Sequence, residues 1–208
     1  LPTALVFHRE RTLSMPDITI LGGGIFGLAI AWRANQRGAR VRVIERDRIG
    51  AGSSGGIVGA LAPHVPENWN PKKQVQFEAL DGAEAWWRAV AEAGGVDPGY
   101  ARLGRLQPVA DEAALTLARQ REATARTLWQ GRYAWRLVRA GERAFAPVTP
   151  TGWLIEDTLT ARLHPRRACA ALVAALRAGG AEVIEGEGAP GGTVIDATGA
   201  AGLDWLSD

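Results

Sequence analysis

The feature that most restricts this chain is a bare glycine corner set between a strand and a helix. Asp17-Ile18-Thr19-Ile20-Leu21 is a β-branched run bounded by Pro16 and Gly22, and it reads as a buried strand. Gly22-Gly23-Gly24-Ile25-Phe26-Gly27 follows and has the spacing G-x-G-x-x-G. Ile25 to Gln36 then reads as a helix, with Ala29, Ala31 and Ala34 permitting close packing and Gly38 as its stop. Val41 to Glu45 reads as a second strand. Strand, tight turn, helix, strand is a βαβ unit, so the expected class is α/β with a parallel sheet.

The glycines have different duties. Gly22 permits the turn, Gly24 lets a diphosphate approach the backbone, and Gly27 lets helix lie close to strand. The anion then meets the free N–H groups of the first helical turn, at Ile25 and Phe26. The helix dipole adds about 0.3–1 kcal/mol. Glu45, at the tip of the second strand, suits the ribose hydroxyls. Each charged hydrogen bond there is worth about 1.5–3 kcal/mol, and the same charge disfavours a 2′-phosphate. Arg46 is placed along the adenine or its ribose. The alternative is a glycine turn that holds no ligand.

The βαβ unit alone suits NAD or FAD. The next loop, Ile49 to Ala60, separates them. Its backbone N–H groups and the hydroxyls of Ser53 and Ser54 offer a second cradle, which an extended dinucleotide with a long polyol needs. The rest of the chain alternates in kind. Residues 47–62 read as loop. Helices are expected over Lys72–Ala93, over Asp111–Gln130 with Asp111 as N-cap, and over Arg166–Ala178. Leu172 and Leu176 share one face of the last. Strands are expected at Leu106–Val109, Trp153–Ile155, Ala181–Ile184 and Thr193–Asp196. Residues 131–150 carry no clear period.

Composition excludes several classes. Apolar residues make up 47% of the 208, enough for a sizeable core. The net charge of +2 shows no footprint for nucleic acid or anionic lipid. The most apolar stretch, Leu21–Trp32, is too short to span a bilayer. The single cysteine, Cys169, allows no internal disulfide and points to a reducing, cytoplasmic setting; it reads as a small buried apolar residue. No Cys/His spacing suggests a metal. Residues 1–14 read as a tail, containing His8, ahead of a natural start at Met15. His64 is a loop histidine that could approach a bound ring, and His164 helps enter a helix. Trp86 and Trp87 read as a helix packing on the sheet. Trp129, Trp135 and Trp153 are candidates for an apolar cap over a substrate. Glu112, Arg119, Arg121, Glu122 and Arg126 read as a solvated helix face.

The run Gly22 to Gly27, then Glu45-Arg46, then Gly50-Ala51-Gly52-Ser53-Ser54, then Gly59, resembles the D-amino-acid oxidase and glycine oxidase family. Asp157 to Ala178 is similar to that family's segment leading into a helix and a Gly-Ala turn. Val194-Ile195-Asp196-Ala197-Thr198-Gly199 is similar to its strand ending in Ala-Thr/Cys-Gly, whose backbone closes over the ADP moiety. The resemblance implies FAD as cofactor. It implies a Rossmann-like FAD-binding domain with an inserted α+β region belonging to the substrate domain. The implied division is residues 15–62 and 157–208 for FAD and 63–156 for the insertion. The implied cofactor residues are Gly22, Gly24, Ile25, Phe26, Gly27, Glu45, Arg46, Ser53, Ser54, Gly59, Ala60, Ala197, Thr198 and Gly199.

The implied reaction is oxidation of a C–N bond in an amino acid or secondary amine by hydride transfer to flavin. The implied partner is a small amine or amino-acid substrate, and a homo-oligomer is left open. Alternatives are the oxidase domain of a tRNA-modifying enzyme and a nucleotide-holding subunit without turnover. Two departures stand out. The stretch from Val183 to Val194 is shorter than the family's, which inserts strands there partly to hold adenine. Family members also continue past the point matching Asp208, where their substrate-binding residues lie, so the sequence reads as an N-terminal fragment.

Overall fold

A computed structural model describes residues 15–202. The tail 1–14 lies outside them. Four parallel strands form the main sheet in the order β8-β2-β1-β9: β8 Glu182–Glu185, β2 Val41–Glu45, β1 Ile18–Leu21 and β9 Thr193–Asp196. Helices α1 (Ile25–Gln36) and α4 (Pro165–Ala178) cover one face of it. A parallel sheet needs both faces covered, and α1 and α4 supply the first cover with small residues. Ala31, Ala168, Ala171 and Ala175 are fully buried there beside Ile20, Leu28, Val43, Leu172 and Leu176.

The other face is crossed by the short connection from β8 to β9, residues 186–192. Three contacts pin it. The Thr19 hydroxyl donates to the Gly191 carbonyl at 2.6 Å and accepts from the Gly191 N–H at 2.9 Å. Arg42 donates to the Ala189 carbonyl at 2.7 Å while its Nε holds Glu182 at 2.7 Å. The Gly186 N–H donates to the Glu45 carbonyl at 2.8 Å.

Between the two halves of that sheet run α2 (Pro71–Gly94), β4 (Arg105–Pro108), α3 (Glu112–Leu128), β5 (Trp135–Arg139) and β6 (Trp153–Asp157). The strands form a separate antiparallel sheet, β4-β6-β5. Asn70 caps α2, its side chain accepting from Lys73 N–H, and Pro71 opens the helix. Asp111 caps α3 by accepting from Ala114 N–H at 2.8 Å. A second core forms here, with Phe77, Leu115, Ala118, Ala125, Trp129 and Leu159 almost wholly buried. A two-stranded antiparallel ribbon joins β3 (Gly59–Leu61) to β7 (Ala161–Leu163).

Several expectations change. The loop expected over 47–62 contains β3, and the unreadable stretch 131–150 contains β5. α2 lies on α4, and Trp87 is buried in the first core, in one cluster with Ile20 and Val43 of the sheet. Trp129 and Trp135 are not a cap, because both are interior to the second core at 0% and 3% exposure. Trp153 packs on the flank of that core with the Arg139 guanidinium over its ring. Arg121 is not merely solvated: it forms a two-pronged ion pair with Glu67, 2.5 and 2.9 Å, tying α3 to the segment before α2. His164 caps α4, its Nδ1 accepting from Arg167 N–H at 3.4 Å. Cys169 is buried, and burial pushes its thiol above the usual range.

Candidate functional site

The site lies at the C-terminal edge of the parallel sheet, where β1, β2 and β9 end side by side. Gly22 continues the ladder by donating to the Ile44 carbonyl at 2.8 Å, then turns with φ of 108°. A Cβ on Gly22 would stand 2.5 Å from the Ala197 carbonyl oxygen, so the corner after β1 touches the corner after β9. Gly27 lies deeper. A Cβ there would meet the Gly22 carbonyl oxygen at 2.0 Å, which makes glycine the condition for α1 to start against β1.

Gly24 differs from both. It is the N-cap of α1 with no side-chain cap, and among the described residues the only near neighbour of an added Cβ is the Ser54 hydroxyl at 3.3 Å. The space over it is open. Ser54 Oγ accepts the Ile25 N–H at 2.9 Å, closing one of the free donors of the helix start. Among the described residues, the N–H groups of Gly24, Phe26 and Gly27 meet no protein acceptor. Those of Gly24 and Phe26, which line the cleft, are the donors that a diphosphate needs.

Glu45 faces this corner. Its Oε2 accepts from Gly23 N–H at 2.7 Å and its Oε1 from Asp47 N–H at 3.1 Å. Those two bonds fix the carboxylate and leave each oxygen a lone pair for an incoming hydroxyl. A cleft of about 470 Å³ runs past Gly22, Gly24, Ile25, Phe26, Glu45 and Arg46. Its other side is Ser53, Ser54, Ala197, Thr198 and Gly199, where Ser53–Gly55 makes a short 3-10 turn. Gly27 sits behind the cleft as packing.

Gly59 and Ala60 lie outside the cleft. Gly59 is bare because β7 approaches it, with the Leu163 carbonyl 2.5 Å from where a Cβ would be. Ala60 instead lines an apolar groove along α2 with Leu61, Ala83 and Trp86. His64 is also absent from the cleft. Its N–H donates to Gln76 Oε1 at 2.7 Å.

A second hollow of about 610 Å³ continues the first, sharing Gly22, Glu45, Arg46 and Thr198 with it. It adds residues that the sequence reading missed: Gly186, Glu187 and Gly188 after β8, and Asp196 at the tip of β9. Asp196 accepts from the Thr198 hydroxyl at 2.5 Å and the Thr198 N–H at 2.9 Å. The hydroxyl and then the N–H hold its carboxyl below the usual range. The sequence signal for Asp196 was its place at a parallel strand's end; residues 186–188 carried none.

Unpartnered helix-start donors, an open approach over Gly24 and a fixed carboxylate at the next strand tip fit the ADP half of FAD. A family described as FAD dependent oxidoreductase matches residues 17–202.

The chain belongs to this FAD-dependent oxidoreductase family.

Among solved structures, iminodiacetate oxidase from Chelativorans sp. BNC1 superposes with a TM-score of 0.75 at 20% identity, over 91% of this chain and 57% of that one. Glycine oxidase from Geobacillus kaustophilus gives 0.70 at 20% identity, over 90% of this chain and 56% of that one. At such identity these matches speak for the fold. A curated relative, the tRNA 5-methylaminomethyl-2-thiouridine biosynthesis bifunctional protein MnmC of Chromohalobacter salexigens, is 33% identical over 84 residues. That match covers 40% of this chain and 12% of the relative. The chain therefore spans little more than half of these two structures and a small part of this curated relative. Among the described residues no helix is long and apolar enough to cross a membrane, and no group of three His, Cys, Asp or Glu side chains could hold a metal ion.

Proposed function

We propose that this chain carries the cofactor-holding part of an enzyme that oxidises the C–N bond of an amino acid or a secondary amine. The observation that carries the reading is the continuous cleft along the sheet edge, with α1's free N–H groups at one point and Glu45 at the next. In it, the Gly24 and Phe26 N–H groups take the diphosphate, and Ser54 Oγ is poised to share it. Glu45 accepts from the ribose hydroxyls. The 3-10 turn at Ser53 and the Ala197–Gly199 corner close the two sides. Bound FAD supplies the hydride acceptor for the amine's α-carbon. The protein's contribution, on this reading, is to hold that cofactor in one extended pose and exclude water from the diphosphate. The buried lone cysteine favours a cytoplasmic setting.

The test is optical. The purified chain should be yellow, and its flavin band should bleach under anaerobic addition of glycine, iminodiacetate or a D-amino acid. A yellow protein unmoved by all of them would remove amine oxidation from the reading. A colourless protein that binds ADP would favour a nucleotide-holding subunit. The 33% match to a tRNA-modification protein supports a second reading, a flavin domain acting on a tRNA-borne amine. It predicts bleaching by such a tRNA and not by free amino acids.

A further inference from the structure

Behind the loop that walls the cleft lies a smaller hollow, of about 270 Å³, that the cofactor contacts do not use. Ser54 borders both. The hollow runs along the face of α4 that carries Arg166, Cys169, Val173 and Arg177. These residues are spaced three or four apart, so they share one side of the helix. Arg48 closes the hollow from the loop and Glu185 from the tip of β8.

The floor is apolar and the rim carries mostly one sign of charge. Arg48, Arg166 and Arg177 are exposed, and none of them pairs with a carboxylate among the described residues. Other exposed arginines of this fold do find one: Arg40 holds Asp17, Arg132 holds Asp81, and Arg167, next to Arg166, holds Asp97. The carboxylate that lines the hollow, Glu185, accepts from the Ile49 N–H at 2.7 Å. Three guanidinium groups against one carboxylate leave two positive charges unanswered. A phosphate group carries about −1.5 to −2 at neutral pH, and guanidinium forks match its oxygens.

Arg166 ties the hollow to the loop. Its Nε donates to the Gly55 carbonyl at 2.7 Å, while its two terminal nitrogens meet no acceptor among the described residues. Those nitrogens are donors with capacity to spare. Gly50, nearer the start of the loop, rests on Cys169: a Cβ on it would lie 3.6 Å from Sγ.

We propose that this hollow is an oxyanion site that takes a phosphate group, free or carried by a small molecule, and that its occupant clamps the loop through Arg166. An anion on the terminal nitrogens fixes the side chain whose Nε holds Gly55. The neighbouring Ser54 is fixed with it, and its Oγ accepts from Ile25 at the start of α1. Phosphate in the hollow and cofactor in the cleft then each tighten the other, because such coupling is reciprocal. The anion site stands by itself; the clamp rests on the cofactor reading above.

Calorimetric titration of the full chain with inorganic phosphate, at an ionic strength held constant with chloride, tests the site. The wild type should bind phosphate saturably. Arg48→Ala and Arg177→Ala should each weaken it about tenfold, the size of one charged hydrogen bond. Arg119→Ala, exposed on α3 and outside the hollow, should change nothing, and neither should Gly24→Val, which blocks the cleft. No saturable binding, or equal losses in Arg119→Ala, would overturn the site. So would loss in Gly24→Val with none in Arg177→Ala, which would put the phosphate in the cleft. Glycerol phosphate separates the two sources: affinity equal to that of phosphate supports a phosphorylated small molecule, and a tenfold deficit supports the free ion. Saturating phosphate should also raise FAD affinity about fivefold in the wild type and not in Arg177→Ala. Unchanged or weaker FAD binding in the wild type would overturn the clamp. A chain that binds phosphate in the hollow and holds no FAD would keep the site and overturn both the clamp and the cofactor reading.

Discussion

The two cores of this molecule differ in what lies at their edges, and the first has a sheet edge that leaves backbone within reach of a ligand. Under the parallel sheet, Ala31, Ala168, Ala171 and Ala175 bring helices close. At its edge, Gly22, Gly24 and Gly27 then strip the corner to main chain. The N–H groups of Gly24 and Phe26 are left there without a protein acceptor among the described residues. In the second core, Phe77, Trp129 and Trp135 fill the volume themselves, with Trp129 and Trp135 edge to face at 6.0 Å. The indole N–H groups of both are buried and meet no acceptor among the described residues. Large aromatic side chains suggest stacking on a ligand when read along a sequence. Here they are consumed by packing, while the residues with least side chain form the cleft.

The largest expected effect breaks the second core alone. Trp129→Ala should cost about 3–5 kcal/mol in denaturant unfolding, because a fully buried indole leaves a cavity. FAD affinity below the transition should stay within about threefold of wild type, near the noise for distant sites. A parallel collapse of affinity would mean that the two cores are one cooperative unit.

Next come two glycines three residues apart. Gly27→Ala should cost about 1–3 kcal/mol or more, since its Cβ meets a backbone oxygen that cannot yield. Gly24→Val should leave thermal stability almost unchanged and abolish FAD retention, because its side chain enters the open approach. Full FAD occupancy in that variant would contradict the site.

Smaller still is Glu45→Ala, which should weaken FAD by about 1.5–3 kcal/mol and FMN by less, since FMN lacks the second ribose. Fluorescence titrations with both flavins measure it, and equal losses would argue against Glu45 as the ribose acceptor.

The smallest effect is a pH dependence far from the cleft. Arg40 holds Asp17 through its guanidinium and its N–H, at 2.5 and 2.9 Å, and the guanidinium contact lowers the carboxyl from 3.8 to about 2. A carboxyl depressed by folding contributes stability above its unfolded pKa of about 3.9, and loses it as pH falls toward 2. Asp17→Asn should therefore flatten the acid limb of stability between about pH 4 and pH 2 and nothing above it. An unchanged acid limb would show the surface pair to be screened out.

The sequence read well where structure is local. α1 and β2 fall on their expected residues, Asp111 is the N-cap its residue type and position suggested, and His164 stands at the helix entry where the sequence placed it. It read poorly where an element exists only through its partner. β3 and β7 have three residues each and are strands because they pair. Gly59 carries the look of a cofactor glycine, yet what it accommodates is the Leu163 carbonyl. Arg121 sits on a polar helix face, but Glu67 reaches it from another segment.

By itself, then, the sequence determined the glycine corner, the helix that starts there and the acid on the neighbouring strand. These depend on φ, on a missing Cβ and on strand alternation, which are properties of a few consecutive residues. Only the tertiary structure decided that Trp129 and Trp135 are interior, that Gly59 and Ala60 leave the cleft, and that Glu187 and Asp196 line the hollow that continues it. Those outcomes depend on which distant segments fill the same space, and packing of that kind is a property of the whole chain.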